Sequence, residues 1–327
     1  MFQVKTTLVL GAGASCAYDY PLGHGLIDKM VEVGAKWNRD ANGNGNAALN
    51  GERLVKLLRF YDPVSIDSFL YSHDDRVLST WAKYAIGEVL HSCADSQKFL
   101  RGVGTENWYR LLWNAIVSGK RATELLHHPL NLKIVTFNYD ASLEAFLYSR
   151  VTAQDSIFKT DGEKDLFLAK LSECIHHVYG CVMSYQWCGG TDENYLYDIH
   201  KKGFNNPFID KCKERIKLIG ERDQDYSTPR EWIHSAEQVL FLGFGFDDIN
   251  IGEKVLNLKH SLSPKNRKGK GVHLQPMIKY TNFENSAIIN RKVESLLGVF
   301  PDPLRLIKST RTVYKALLED FSLNSLH

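Results

Sequence analysis

Long apolar runs, an excess of one charge and closely paired cysteines are all missing from this 327-residue chain. No apolar stretch approaches the roughly 20 residues that a membrane-spanning helix needs, which excludes such a span. Lys and Arg number 40 against 38 Asp and Glu, a formal net charge of +2. That balance lacks the concentrated basic excess of a nucleic-acid binder, so no direct nucleic-acid contact is expected. The six cysteines, Cys16, Cys93, Cys174, Cys181, Cys188 and Cys212, are scattered rather than clustered, the pattern of a reducing compartment and not of a disulfide-stapled secreted domain. No charged-then-apolar leader opens the chain, and the expectation is a cytoplasmic protein.

With 44% apolar and 24% charged residues the chain can bury one large core or two modest ones. The apolar run Thr7-Leu8-Val9-Leu10 breaks into Gly11-Ala12-Gly13-Ala14-Ser15 close to the amino end. A strand feeding such a turn builds a phosphate cradle, because glycines admit close backbone approach and the following helix points its N–H groups at an anion. The dinucleotide fingerprint would continue with a third glycine and an acidic residue about 20 positions on. Ser15 and Cys16 follow instead, so an ordinary nicotinamide dehydrogenase is not the first reading.

Helical spacing is expected over Leu26 to Trp37, then the loop Asn42-Gly43-Asn44-Gly45-Asn46, then a long helical stretch with Leu78, Trp81, Ala82, Ala85, Ile86, Val89 and Leu90 on one face. Residues 48–128 read as an all-helical insertion into a main domain formed by 1–47 and 129–327. Strands are expected at Leu132 to Phe137, Ile175 to Tyr179, Val239 to Leu242 and Leu274 to Tyr280, with helices at Glu284 to Leu297 and Thr310 to Phe321. Residues 184–230, polar and aromatic with little periodicity, read as a lid or insertion. Alternating apolar strands and helices predict an α/β fold, a Rossmann-like doubly wound parallel sheet covered on both faces. Ligands in such sheets bind beyond the carboxyl ends of the strands, and the polar and glycine-rich breaks all fall there.

Four of those breaks are Gly11-Ala12-Gly13-Ala14-Ser15, Phe137-Asn138-Tyr139-Asp140, His177-Val178-Tyr179-Gly180 and Gly243-Phe244-Gly245-Phe246-Asp247-Asp248-Ile249-Asn250. Together they resemble, in order and spacing, the sirtuin-like proteins of bacterial anti-phage defence, and Ser65-Ile66-Asp67-Ser68-Phe69-Leu70 is similar to a short motif of those members. The resemblance runs from about Leu8 to Asn250. It implies NAD as substrate, bound at the sheet's carboxyl edge and cleaved between nicotinamide and ribose. The deacylase members carry a zinc ribbon of two Cys-x-x-Cys pairs, and no such pair occurs here. Their histidine is followed directly by glycine, whereas Val178 and Tyr179 separate His177 from Gly180. Both departures point to an NAD hydrolase that drains the cell of NAD, without a metal. Such an effector needs restraint, and the resemblance implies a homo-oligomer or a separate partner, such as a hexameric DNA-translocating ATPase or an Argonaute-like protein.

Cleavage of the nicotinamide bond passes through an oxocarbenium-like sugar, so the site must hold the ribose and present one water. Asn138 suits that holding role, being neutral at every pH with donors and an acceptor, although Asn at a strand end also starts turns and caps helices. His177 is the expected general base, and strand alternation places His176 on the opposite face. Asp67 and Asp140 either bond sugar hydroxyls or sit as acidic groups at helix starts. In the phosphate cradle that Gly11 opens, Ser15 and the N–H groups of Ala12, Gly13 and Ala14 are expected to take the pyrophosphate, with Gly243 and Gly245 admitting the adenosine half and Phe244 between them also in the cofactor site. Cys174, Cys181 and Cys188, seven apart, read as buried or idle thiols. The alternative function is a non-catalytic module that senses NAD or ADP-ribose, and a lysine deacylase is a weaker third.

Overall fold

The computed structural model describes residues 2–39, 45–94, 106–190, 207–221, 224–263, 276–297 and 305–321, with the backbone alone for 207–210 and 297. Six parallel strands form one sheet: β1 Thr6–Leu10, β2 Leu132–Thr136, β3 Ile175–His177, β4 Gln238–Leu242, β5 Met277–Thr281 and β6 Leu306–Ser309. Their spatial order is β3-β2-β1-β4-β5-β6, the order of a Rossmann-like doubly wound sheet. The central strands β1 and β4 are buried at every position. Their sequences, TTLVL and QVLFL, are near-continuous and apolar, as strands covered on both faces must be.

Strand β6, just ahead of the predicted closing helix, was not expected from the sequence, and that helix, expected over Thr310 to Phe321, is a short helical turn Val313–Lys315 continued by a π-helical stretch Ala316–Asp320. Leu306 and Ile307 are only half-buried at the sheet edge, so their apolar signal is too short to announce a strand. Strand β3 ends at His177, two residues before the predicted end. Gly45 and Asn46, predicted to lie in a loop, begin the helix Gly45–Tyr61, while 40–44 lie outside the described residues.

Between β1 and β2 the described chain forms the helices Gly23–Arg39, Gly45–Tyr61, Ile66–His73, Arg76–Cys93, Trp108–Val117 and Ala122–His127. The first two cross closely where Gly34 meets Gly51: a Cβ on Gly51 would lie 2.7 Å from the Gly34 carbonyl oxygen. Ser65 caps Ile66–His73, and Asp75 caps Arg76–Cys93 by accepting from the Leu78 N–H at 2.9 Å.

Of the segment 184–230, residues 191–206 and 222–223 lie outside the described residues. Cys212, Ile216, Leu218 and Ile219 are buried in the core, and the Lys217 N–H donates to the Tyr179 carbonyl at 2.9 Å. This stretch is therefore packed beside β3, which its weak periodicity did not show. No described helix is long and apolar enough to cross a membrane.

Candidate functional site

The sheet's register brings the sequence motifs to one level. Leu10 pairs with Thr136 on one side and Leu242 on the other, and Thr136 pairs with His177. The chain therefore leaves four neighbouring strands into four turns at the same carboxyl edge. Strand order reverses between β1 and β4, and a crevice opens at such a switch point.

Packing glycines join the turns after β1 and β4. Gly243 has a left-handed φ of +58°, and a Cβ there would fall 2.2 Å from the Ala14 nitrogen. A Cβ on Gly11 would fall 2.6 Å from the Gly243 carbonyl oxygen. The close approach lets the Gly11 N–H donate to the Leu242 carbonyl at 3.1 Å and the Gly13 N–H to the Gly243 carbonyl at 3.0 Å. The Ala14 N–H donates to the Gly11 carbonyl. This corrects the expected pyrophosphate cradle: the N–H groups of Gly13 and Ala14 are already engaged, and Gly11, Ala12 and Ser15 are the residues of this turn that face the crevice.

That crevice encloses about 170 Å³ and opens to solvent, which is smaller than the roughly 300–1,000 Å³ of typical ligand pockets. It collects residues from each of the five motifs: Gly11, Ala12 and Ser15; Ser65, Ile66 and Asp67; Phe137 to Asp140; Tyr179; and Phe244, Gly245, Asp247 and Asn250. Gly245 leaves open space beside its backbone, since a Cβ there would meet nothing within 4 Å. Phe244 is buried, its ring 5.1 Å from that of Phe137. Gly243 lies behind this lining, its N–H donating to the Thr281 hydroxyl at 2.7 Å. The charged side chains in the lining are Asp67, Asp140 and Asp247, with no Lys or Arg among the described residues.

A hydrogen-bonded trio forms the floor. The Asn138 amide donates to Ser15 Oγ at 2.9 Å, and the Ser15 hydroxyl donates to Asp140 Oδ2 at 2.8 Å. The other Asp140 oxygen accepts from the Ser142 N–H at 3.1 Å and from the Ser142 hydroxyl. Asp140 thus opens the helix Ser142–Thr152 and holds Ser15 in the same step. Burial pushes its carboxyl above the usual aspartate value, against the lowering effect of these donors. The Asn138 carbonyl oxygen of the side chain has no hydrogen-bond partner among the described residues, leaving an acceptor at the floor.

Asp67, in the first turn of its helix, accepts from the Tyr139 hydroxyl. Burial, with the nearby Asp247 charge, raises its carboxyl to about 6, despite the lowering effect of the tyrosine hydrogen bond. The Ser68 hydroxyl reaches Asp247 Oδ2 at 3.4 Å, and Asp247 in turn caps the helix Asp248–Ile251. The Tyr179 hydroxyl donates to Asn250 Oδ1. These links tie the helical motif Ser65–Leu70 to the turns after β2, β3 and β4.

His177 stands elsewhere. It lies behind the trio in a small inner cavity with room for about one water, lined also by Tyr109, Trp108 and Glu144. Its Nδ1 donates to the Asn138 main-chain carbonyl at 3.0 Å, and its Nε2 meets Glu144 Oε1 at 2.5 Å. Burial opposes a charged imidazole, yet the Cys181 sulfur and the Glu144 carboxylate outweigh it, and His177 is held well above the ordinary histidine value. Both ring nitrogens are engaged. His176 points the other way, to the Asp225 carbonyl and the Trp232 ring, as strand alternation requires.

Glu144 and Ser142 were missed in the sequence. Glu144 falls four residues after Asp140, one helical turn on, but an acidic residue in a first turn ordinarily reads as a dipole partner. Cys174, Cys181 and Cys188 carry free thiols. Among the described residues no group of three or more His, Cys, Asp or Glu is placed to hold a metal ion.

The fold and crevice define an α/β protein with a Rossmann-like parallel sheet and a cleft at its switch point. No protein-family model, curated protein or solved structure matches the chain.

Proposed function

We propose that the chain is an NAD glycohydrolase, converting NAD and water to ADP-ribose and nicotinamide. The observation that carries this reading is the Asn138–Ser15–Asp140 trio on the floor of the switch-point cleft, together with the resemblance of the surrounding motifs to sirtuin-like NAD hydrolases. In the proposed reaction the C1′–N bond breaks with its electron pair passing to the pyridinium ring, which leaves as neutral nicotinamide. A water adds to the oxocarbenium-like C1′ and loses one proton. Asn138, with a free side-chain acceptor, holds that water or a ribose hydroxyl. Asp67 is the acceptor for the proton, since it lines the cleft and titrates near the pH at which a general base works best. With no Lys or Arg in the described lining, the diphosphate would be held by backbone and hydroxyl donors of Ala12, Ser15 and Gly245 rather than by ion pairs.

By that resemblance the proposed activity would serve anti-phage defence, restrained by self-association or by a separate protein. Size-exclusion mass measurement of the chain, alone and with a candidate partner, tests the restraint.

A second reading, a binding module that senses NAD or ADP-ribose without turnover, is favoured by one observation: the histidine expected as base is engaged on both nitrogens and lies outside the cleft. Chromatography of NAD and nicotinamide with the purified chain, beside Asn138→Ala and Asp67→Asn, separates the two. Nicotinamide release lost in both variants supports the hydrolase, and NAD binding without release supports the sensor.

A further inference from the structure

Behind the cleft floor, the buried Glu144 and the part-buried His177 form a pair joined to the floor through the main-chain carbonyl of Asn138. Glu144 is 7% exposed at its side chain and His177 15%. The Asn138 carbonyl can only accept, so His177 Nδ1 carries a proton toward it. Glu144 secures the opposite nitrogen, which fixes the ring plane and keeps Nδ1 a donor. The same Asn138 presents its side chain to Ser15 on the cleft side. Main chain and side chain of one residue are therefore clamped from opposite sides of the floor.

Resting on the hydrolase reading above, we propose that His177 and Glu144 are positioning residues that hold Asn138 at the cleft floor, and that His177 does not accept the proton of the attacking water. The groups facing His177 are Glu144 from the helix Ser142–Thr152, Asp140 just ahead of it, Tyr109 from the helix Trp108–Val117, Cys181 beyond β3, and His176 beside it on the strand. Among the described residues, those that line both this inner cavity and the cleft are Ser15, Asn138 and Asp140.

Two experiments test this. An asparagine amide places a donor close to where histidine Nδ1 stands but cannot act as a base. His177→Asn is expected to keep NAD turnover within about tenfold of the unaltered chain, while His177→Ala, which loses the donor, falls by about 100-fold or more. Equal and complete loss in both folded variants, shown by unchanged circular dichroism, would overturn the proposal and return His177 to the role of base.

The second readout does not depend on turnover. In the chain labelled with ¹⁵N-histidine, the His177 ring is expected to stay doubly protonated well above the pH at which an ordinary histidine loses its proton. In Glu144→Gln it is expected to lose that proton at lower pH than in the unaltered chain. A His177 that titrates near the ordinary histidine value in the unaltered chain overturns the clamp even where NAD is cleaved. An unaltered chain that cleaves no NAD under any condition, with His177 doubly protonated as expected, refutes the hydrolase reading and leaves the clamp standing.

Discussion

The pH dependence of turnover offers the sharpest test of the cleft's chemistry, because Asp67 has a raised carboxyl, at about 6, and faces the cleft. A rate proportional to the Asp67 carboxylate is about 90% of its maximum at pH 7 and about 10% at pH 5, a fall of about tenfold across two pH units. In Asp67→Asn the residual rate, lower by about 100-fold or more, no longer has that limb. The same group makes an opposite prediction for stability. Its carboxyl holds a proton more readily in the folded chain than in the unfolded one. Its contribution to stability is therefore fully present below about pH 4 and is lost as pH rises through about 6. A shift of about two units corresponds to at most about 3 kcal/mol, and partial contact with solvent reduces it to about 1–2 kcal/mol. Asp67→Asn, which can still accept from the Tyr139 hydroxyl, is thus expected to be more stable than the unaltered chain at pH 7 and equal to it near pH 4. The assays are kcat/KM for NAD between about pH 4.5 and 8, and urea unfolding at the two extremes. An unaltered chain with a flat rate profile through pH 6, or an Asp67→Asn variant that keeps the same limb at full rate, would refute the assignment of Asp67 as proton acceptor.

Gly243→Ala must adopt a left-handed φ and drive a methyl to within 2.2 Å of the Ala14 nitrogen. With the Gly13–Gly243 hydrogen bond lost as the turns separate, a destabilisation of about 3–5 kcal/mol is expected in denaturant unfolding; a loss below about 1 kcal/mol would mean that the two turns do not touch. Ser15→Ala removes both the Asn138 and the Asp140 contacts, and is expected to lower stability by about 1–3 kcal/mol and NAD turnover by at least about tenfold. Turnover unchanged in that variant would remove the trio from the reaction. Trp108→Phe deletes the indole N–H that donates to the Ala14 carbonyl at 2.7 Å, for an expected cost of about 1–2 kcal/mol by calorimetry and a smaller effect on NAD cleavage than Ser15→Ala.

Much of the fold was legible because its strongest signals are local. The continuous apolar runs of β1 and β4 are too short for buried helices and suit parallel strands covered on both faces, and glycines or polar residues at their ends mark where each strand stops. Edge strand β6 was not legible, since a four-residue segment half-exposed on a sheet edge carries little pattern of its own. The stretch 212–219 was read as lid or insertion because its burial depends on partners distant in sequence, among them the main chain of Tyr179. At the site, Asn138, Ser15, Asp140 and Asp67 could be picked by chemistry and position. Glu144 could not: nothing local distinguishes a carboxylate that meets a histidine 33 residues away from one that faces water.

By itself the sequence determined that strands alternate with helices, that each core strand ends in a polar or glycine-rich break, and which polar groups stand at those breaks, because these properties belong to residues and their near neighbours. Tertiary structure alone decided how those groups are arranged. Register set the four turns at one level, the close packing of the turns after β1 and β4 engaged the Gly13 and Ala14 N–H groups, and burial against Glu144 turned His177 away from the cleft. Each of those outcomes depends on distances between segments far apart in the chain, which composition and spacing leave open.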